Sequence, residues 1–418
     1  MLSSISKKEV LEQAIDYWNP EKTKKWQNDE MDLVIGKREG YYIYDMDGKE
    51  LMDVHLNGGT YNLGHRNPEI VSTLKEALDE FDIGNHHFPA IARSQLAKML
   101  YDNTPDNLVY TIFSSAGGEA VDVAIKSARY ATGRTKVVSI ENGYHGTTGL
   151  SLPLGHERYS KPFLSEGDPE EFIHVPFNDL TAMEEALKNE DIAAVILETI
   201  PATYGFPIPE ENYLKEIKRL CEKYGSLYIA DEVQTGLMRT GALWGFEKFG
   251  IKPDILVTAK GLGGGIYPIG ATVVNEKAGH WLEENGTIHV STFGGSELGC
   301  IVAMKVLEIS QREEVVKNVE FISEYLREGL ESIKKQNKFF TDIRQMGVVM
   351  GLEFDHPEGA KYVMRSLYKH GVWARYSTLD PRILQFKPGL LCDKEYCDEL
   401  LLRMEKGIQE ASEVVASS

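Results

Sequence analysis

With 418 residues, 42% of them hydrophobic, the chain is long enough to build two or three units with substantial cores. A formal net charge of −19 and the lack of any run of lysines and arginines exclude a broad nucleic-acid-binding face. No apolar run is long enough to cross a bilayer, and Met1-Leu2-Ser3-Ser4-Ile5-Ser6-Lys7-Lys8 leads into polar residues instead of an apolar signal core, so a cytoplasmic protein without a membrane partner is expected.

Residues 1–55 include Tyr42-Ile43-Tyr44, the alternation of a half-buried strand, and are expected to pack beside the C-terminal part of the chain. From about Arg66 to Thr292 short apolar strands alternate with helical stretches such as Asp179 to Lys188 and Asn212 to Tyr224. That is the pattern of an α/β unit, a mostly parallel sheet with helices on both faces. The run Val109-Tyr110-Thr111-Ile112-Phe113 leads into Ala116-Gly117-Gly118-Glu119-Ala120 and a helix through Arg129. Glycines that open a helix leave its first N–H groups uncovered, a cradle for phosphate, and Glu119 suits the positive end of the helix dipole. The strand Lys136-Val137-Val138-Ser139-Ile140 precedes Tyr144-His145-Gly146, where an aromatic at a strand end can stack on a flat ring. His145 reads as a satisfied polar residue and is assigned no chemistry.

Ala194-Val195-Ile196-Leu197 ends in Glu198, an acidic strand terminus. Tyr228-Ile229-Ala230 and Ile255-Leu256-Val257 read as buried strands, so Asp231 and Lys260 should emerge side by side at the carboxyl edge of the sheet, where open α/β sheets bind ligands. Gly261-Leu262-Gly263-Gly264-Gly265 follows its lysine instead of preceding one. It is therefore no phosphate loop and serves to turn the backbone behind Lys260. From Gly299 through Gln336 the pattern is one long helix, followed by the strand Val348 to Phe354 and a final helix from about Lys394 to Ser412, a smaller α+β unit. The expected division is an N-terminal segment 1–55, a large domain 56–299 and a small domain 300–418, joined near 300 by continuous helix. Cys221, Cys300, Cys392 and Cys397 lack metal-pair spacing and read as free thiols, and His86-His87 has no acidic or thiol company, so no metal is expected.

An aspartate and a lysine at one sheet edge are the two groups pyridoxal phosphate needs, an amine to form a Schiff base and an anion to keep the pyridine nitrogen protonated. Read together, Tyr44-Asp45-Met46-Asp47-Gly48, Asn62-Leu63-Gly64-His65, Ser114 to Ala120, Tyr144-His145-Gly146, Glu198, Asp231-Glu232-Val233-Gln234-Thr235-Gly236, Lys260-Gly261 and Ser291-Thr292-Phe293-Gly294-Gly295 resemble, in order, the motifs of the class III aminotransferases. These are fold type I pyridoxal 5'-phosphate enzymes, and the likeness runs from about residue 30 to about 400. It implies a large cofactor-binding domain with a mostly parallel sheet and a smaller α+β domain. Lys260 would hold the cofactor and carry the proton between substrate and cofactor, with Asp231 at the ring nitrogen. Ala116, Gly117 and Gly118 would lie at the phosphate, Tyr144 and Val233 on the two ring faces, Gln234 at the phenolic oxygen and Glu198 in support. Thr292 would reach the phosphate of a second subunit across a two-fold axis, making the working unit a homodimer with a shared site.

The expected reaction moves an amino group from a donor to a carbonyl acceptor; racemisation, epimerisation or an intramolecular amino shift on the same apparatus is the alternative, and a non-catalytic cofactor-binding protein a further one. The chain departs from its relatives at the substrate. Thr147 stands where ornithine- and γ-aminobutyrate-type enzymes place an arginine, Gln385 replaces a second arginine, and Thr203 replaces the glutamate that neutralises it. A charge left buried without its partner would cost about 3–5 kcal/mol, so losing both is coherent. An amine or amino sugar becomes the expected substrate, with Arg375, Arg382 and Lys387 as surface charges that could still meet a donor carboxylate.

Overall fold

The computed structural model describes residues 5–417. Three sheets organise it. The N-terminal strands β1 (Ile35–Glu39), β2 (Tyr42–Asp45) and β3 (Glu50–Asp53) form antiparallel neighbours. The central sheet holds β4 (Leu108–Ser114), β5 (Lys136–Ile140), β6 (Phe172–Val175), β7 (Ile192–Glu198), β8 (Leu227–Asp231), β9 (Ile255–Thr258) and β10 (Gly270–Asn275), in the order β4-β10-β9-β8-β7-β5-β6. All pairings from β9 to β6 are parallel; β10 alone runs antiparallel to its neighbours β4 and β9.

The middle strands are apolar on both faces because helices cover both. Ile196, Ile229 and Val257 point into one core with Val121 and Ala124 of the helix Gly117–Thr132, while Leu197, Ala230 and Leu256 point into the other with Ile217 and Leu220. All these side chains are buried, each valine, leucine and isoleucine contributing about 1.5–3 kcal/mol by leaving water. Such two-sided burial fixes the register, since a one-residue slip would exchange the two cores.

In the C-terminal part, β11 (Phe340–Met346), β12 (Val349–Phe354), β14 (Arg375–Tyr376) and β15 (Ile383–Phe386) form a second antiparallel sheet in the order β11-β12-β15-β14. The two-residue strand β13 (Val372–Trp373) instead pairs parallel with β3, tying the N-terminal strands to the C-terminal part. Gly347 turns the β11–β12 hairpin at φ +58°, and its Cα faces the backbone of Arg239 and Thr240 so closely that a Cβ would lie 2.4 Å from Thr240 C.

The expected single helix from Gly299 to Gln336 is two, Glu297–Ser310 and Glu313–Gln336. Arg312 leaves helical geometry at ψ 138° and its guanidinium donates to both oxygens of Glu69, at 2.9 and 2.7 Å, and to Glu308. Arg312 thus ties the junction of the two helices to the helix Pro68–Ala77. Residue 300 itself lies inside the first of the two helices, and the final helix runs on from Lys394 to Ser417.

Candidate active site

Parallel pairing places Asp231 opposite Val257, in register, so the ends of β8 and β9 deliver Asp231 and Lys260 to one edge. There they line a cavity of about 560 Å³ together with Gly117, Gly118, Tyr144 and Gln234, a size that suits a small molecule. Lys260 adopts φ +45°, a left-handed conformation uncommon for a side-chain-bearing residue, at the start of the turn Lys260–Gly263. Burial lowers its pKa against the opposing pull of Asp231 and Glu198, making the free amine more available as base and nucleophile.

Asp231 is buried and held on both oxygens. Oδ1 accepts the Val233 N–H at 3.1 Å and Oδ2 meets His145 Nδ1 at 2.8 Å. His145, set aside on sequence grounds, therefore belongs to the site: it orients the carboxylate, and its buried Nε2 has no partner among the described residues. Nothing local pairs these residues, which lie 86 positions apart; the sheet brings them together, with β7 between the strand before His145 and the strand that ends in Asp231. Glu198 accepts the Tyr144 N–H at 3.0 Å and the Ala202 N–H at 3.1 Å, so it shapes the loop that carries Tyr144. Burial pushes its carboxyl up to about 7, with His145 lowering it and Asp231 raising it further. Glu232, next to Asp231, faces away and is satisfied by Thr199, Thr235 and the Gly245 and Phe246 N–H groups.

At Gly117 and Gly118 the helix starts uncapped: Ala116 is the N-cap, with no side chain bonded to the first turn. Close packing requires the glycines. A Cβ on Gly118 would stand 2.7 Å from Thr148 Oγ1, one on Gly146 (φ +135°) 2.9 Å from the Gly118 Cα, and one on Gly117 3.3 Å from Val233 Cγ1. Glu119 folds back onto the Ser115 N–H and hydroxyl, at 2.7 and 2.6 Å. Tyr144 is packed edge-on against Tyr159, at 5.2 Å between ring centroids. Exposed N–H donors at one end, an amine within and an anion held by histidine fit a phosphate, a carbonyl and a basic ring nitrogen.

Thr292 is exposed and lies outside the cavity of its own chain. Lys387 overturns expectation: it is fully buried, its Nζ donating to Gln385 Oε1 at 2.7 Å and Gln234 Oε1 at 3.0 Å, because β15 lies against the sheet edge and not at the surface. Arg382 is an exposed partner of Asp380 and Glu353. Arg375 is half-buried and its side chain makes no hydrogen bond or ion pair among the described residues. No cluster that could hold a metal occurs among the described residues, His86 and His87 are exposed, and the four cysteines are free and buried. No helix among the described residues is long and apolar enough to cross a membrane.

A doubly covered sheet with lysine and aspartate at its carboxyl edge is the architecture of fold type I aminotransferases, and solved structures share it: the ornithine aminotransferase of Toxoplasma gondii ME49 superimposes with a TM-score of 0.89 at 25% identity, covering 99% of this chain and 97% of its own. The aminotransferase class-III profile matches residues 23–408, and this chain belongs to that family. It is 45% identical to an uncharacterized aminotransferase of Archaeoglobus fulgidus over 97% of this chain and 95% of that one. It is 33% identical to the acetylornithine aminotransferase of Caldanaerobacter subterraneus subsp. tengcongensis, over 90% and 95%. The protein is an aminotransferase with pyridoxal 5'-phosphate as cofactor; none of these relatives is named a racemase or mutase.

Proposed function

We propose that the enzyme takes its amino group from, or gives it to, an amine or amino sugar with an uncharged body, exchanging it with a carbonyl compound. Bound pyridoxal phosphate supplies an electrophilic carbonyl for the amine and a cationic ring that draws electrons from the substrate carbon. Lys260 holds that carbonyl and, once displaced, moves the proton at the substrate carbon. Asp231, oriented by His145, keeps the ring nitrogen protonated, since a nearby anion favours the charged form. Gly117 and Gly118 present N–H groups to phosphate; Tyr144 and Val233 take the ring faces, Gln234 the phenolic oxygen, and Glu198 holds the Tyr144 loop.

The observation that carries the substrate reading is the neutrality of three positions. Thr147 is exposed, Thr203 donates only to Asn142 O at 3.5 Å, and buried Gln385 donates to Ala202 O at 3.2 Å. A pocket without these guanidinium forks holds a substrate carboxylate poorly. Acetylornithine and ornithine, named for two of the relatives, carry one at the α-carbon. Of the cations considered for a remaining carboxylate, Arg375 alone is neither paired nor fully buried. The test is steady-state kcat/KM with 2-oxo-acid acceptors for ornithine, γ-aminobutyrate, aliphatic diamines and amino sugars. At least about tenfold preference for uncharged bodies is expected from the missing forks; efficient turnover of ornithine or γ-aminobutyrate overturns the reading.

The proposed working unit is a homodimer of chains with an N-terminal segment 1–55, a large domain 56–299 and a small domain 300–418. Sheet membership supports the division, with β13 paired to β3. Support for the dimer comes from apolar side chains left in water around Thr292: Phe293, Ile288 and Val290, beside Ile83, Phe88 and Ile91. Arg93 Nε to Gly295 O, at 3.1 Å, and Glu297 N to Ile83 O, at 3.3 Å, hold these two segments together. An exposed patch of this kind marks a partner surface, and a second copy would bring its Thr292 to a phosphate cradle.

A further inference from the structure

Lys387 is taken entirely out of water, yet its hydrogen-bonding partners are two neutral amides. Its charged and titratable surroundings are Arg239, Lys260, Arg375, His55 and Asp53, of which only Asp53 is an anion. Burying an amine this way is costly unless its bonds do something specific. Being fully buried, it does not touch a substrate; whatever it does passes through its partners. Gln385 sits opposite Arg375 on β14, and Lys387, two residues on, shares its face, which looks toward the carboxyl edge of the central sheet. The Nε2 of Gln385 is committed to Ala202 O, so its Oε1 must face Lys387. Lys387 then takes the oxygen end of Gln234 as well. Burial and the neighbouring cations push the Lys387 amine well below the usual lysine range; charged or neutral it keeps at least two N–H donors, one to each amide oxygen, and the amide nitrogen of Gln234 is turned the other way. Gln234 lines the cavity with Lys260 and Asp231, and its Nε2 has no partner among the described residues.

We propose that Lys387 is a positioning residue: seated between the amide oxygens of Gln385 and Gln234, it holds Gln234 with its N–H pair pointed into the cofactor cavity, as a donor to an oxygen anion on the ring. Gln385 is the other half of this clamp and not a substrate group. Without Lys387 the Gln234 amide is free to present either end. A hydrogen bond donated to the ring oxygen favours its anionic form and weakens its hold on the proton shared with the neighbouring Lys260 nitrogen.

The test uses the full-length protein loaded with pyridoxal phosphate. Visible absorbance is titrated against pH for wild type, Lys387→Met, Gln234→Ala and the double variant, and calorimetry gives the dissociation constant of pyridoxal phosphate for each apo-protein. Each single variant is expected to raise the absorbance midpoint by about one pH unit and to weaken cofactor binding about tenfold, a unit being a tenfold change in equilibrium. The double variant is expected to go no further than the larger single, because both act through one hydrogen bond. Gln385→Leu, which leaves both residues in place, should shift the midpoint in the same direction by less, and it keeps the question open to measurement if Lys387→Met does not fold. An unmoved midpoint in the folded variants, or shifts that add in the double variant, overturns the assignment. Neither measurement uses an amine or oxo acid, so failure to turn over any donor would overturn the proposed reaction and leave this role standing.

Discussion

Asp231 shows how one side chain's function is made by another. Its Oδ2 is fixed by His145 at 2.8 Å in a buried setting, so the anion faces the cavity without rotamer freedom. Asp231→Asn keeps the shape and removes the charge, and kcat/KM should fall by about 10²–10³, the usual loss when one preorganised electrostatic contact is removed. Near-normal turnover would mean that another group holds the ring nitrogen protonated. Glu198 offers a test on the apo-protein alone. Its folded pKa, raised to about 7 by burial, lies above the unfolded value. The folded state therefore binds the extra proton between the two, and stability contributed by neutral Glu198 is present at low pH and lost as pH rises through 7. Denaturant unfolding should show the wild type losing about 1–3 kcal/mol more than Glu198→Gln between pH 5 and pH 8. Parallel pH dependences in the two proteins would place the titration elsewhere, with Glu232, also raised to about 7, as the next group to examine.

Among the elements, the helix Gly117–Thr132 matters most for binding, through its bare first turn. Steric room ranks its glycines: the Cβ of an alanine at 118 meets Thr148 Oγ1 at 2.7 Å, whereas at 117 it meets Val233 at 3.3 Å. Gly118→Ala should weaken pyridoxal phosphate binding by about tenfold or more, despite the ~1 kcal/mol that alanine gains over glycine in a helix. Gly117→Ala should be the milder of the two in the same calorimetric titration. The opposite ranking would mean that the phosphate is not held at this turn. Element boundaries also show where reading along the chain succeeds. β5 ends as expected at Lys136 and Ile140 because apolar β-branched residues need no outside information to mark a buried strand. The break at Gln311–Arg312 was not legible along the chain because no proline or glycine marks it; there Arg312 bonds both Glu308 and Glu69, the latter 243 residues away.

For the whole molecule the decisive question is whether one site needs two chains. Lys260→Ala and Thr292→Arg proteins should each be inactive alone. After subunit exchange in equal amounts, activity should recover to about a quarter of wild type, since half the dimers are mixed and one of their two sites carries neither lesion. No recovery after exchange verified by mass spectrometry would count against a shared site. The parts with local signatures were legible along the chain: the parallel sheet from its apolar runs, the glycine-opened helix from its place after a strand, and Asp231 and Lys260 from the apolar runs that lead to them. Periodicity and turn chemistry act over a few residues, so they can be read without the fold. Which distant groups meet was settled by the fold. It set His145 on Asp231, moved Lys387 from an expected surface position to a buried place between Gln234 and Gln385, and paired β13 with β3. Those contacts depend on which strands become neighbours and what is thereby desolvated, and the cost of an unpaired buried amine or carboxylate then dictates its partners.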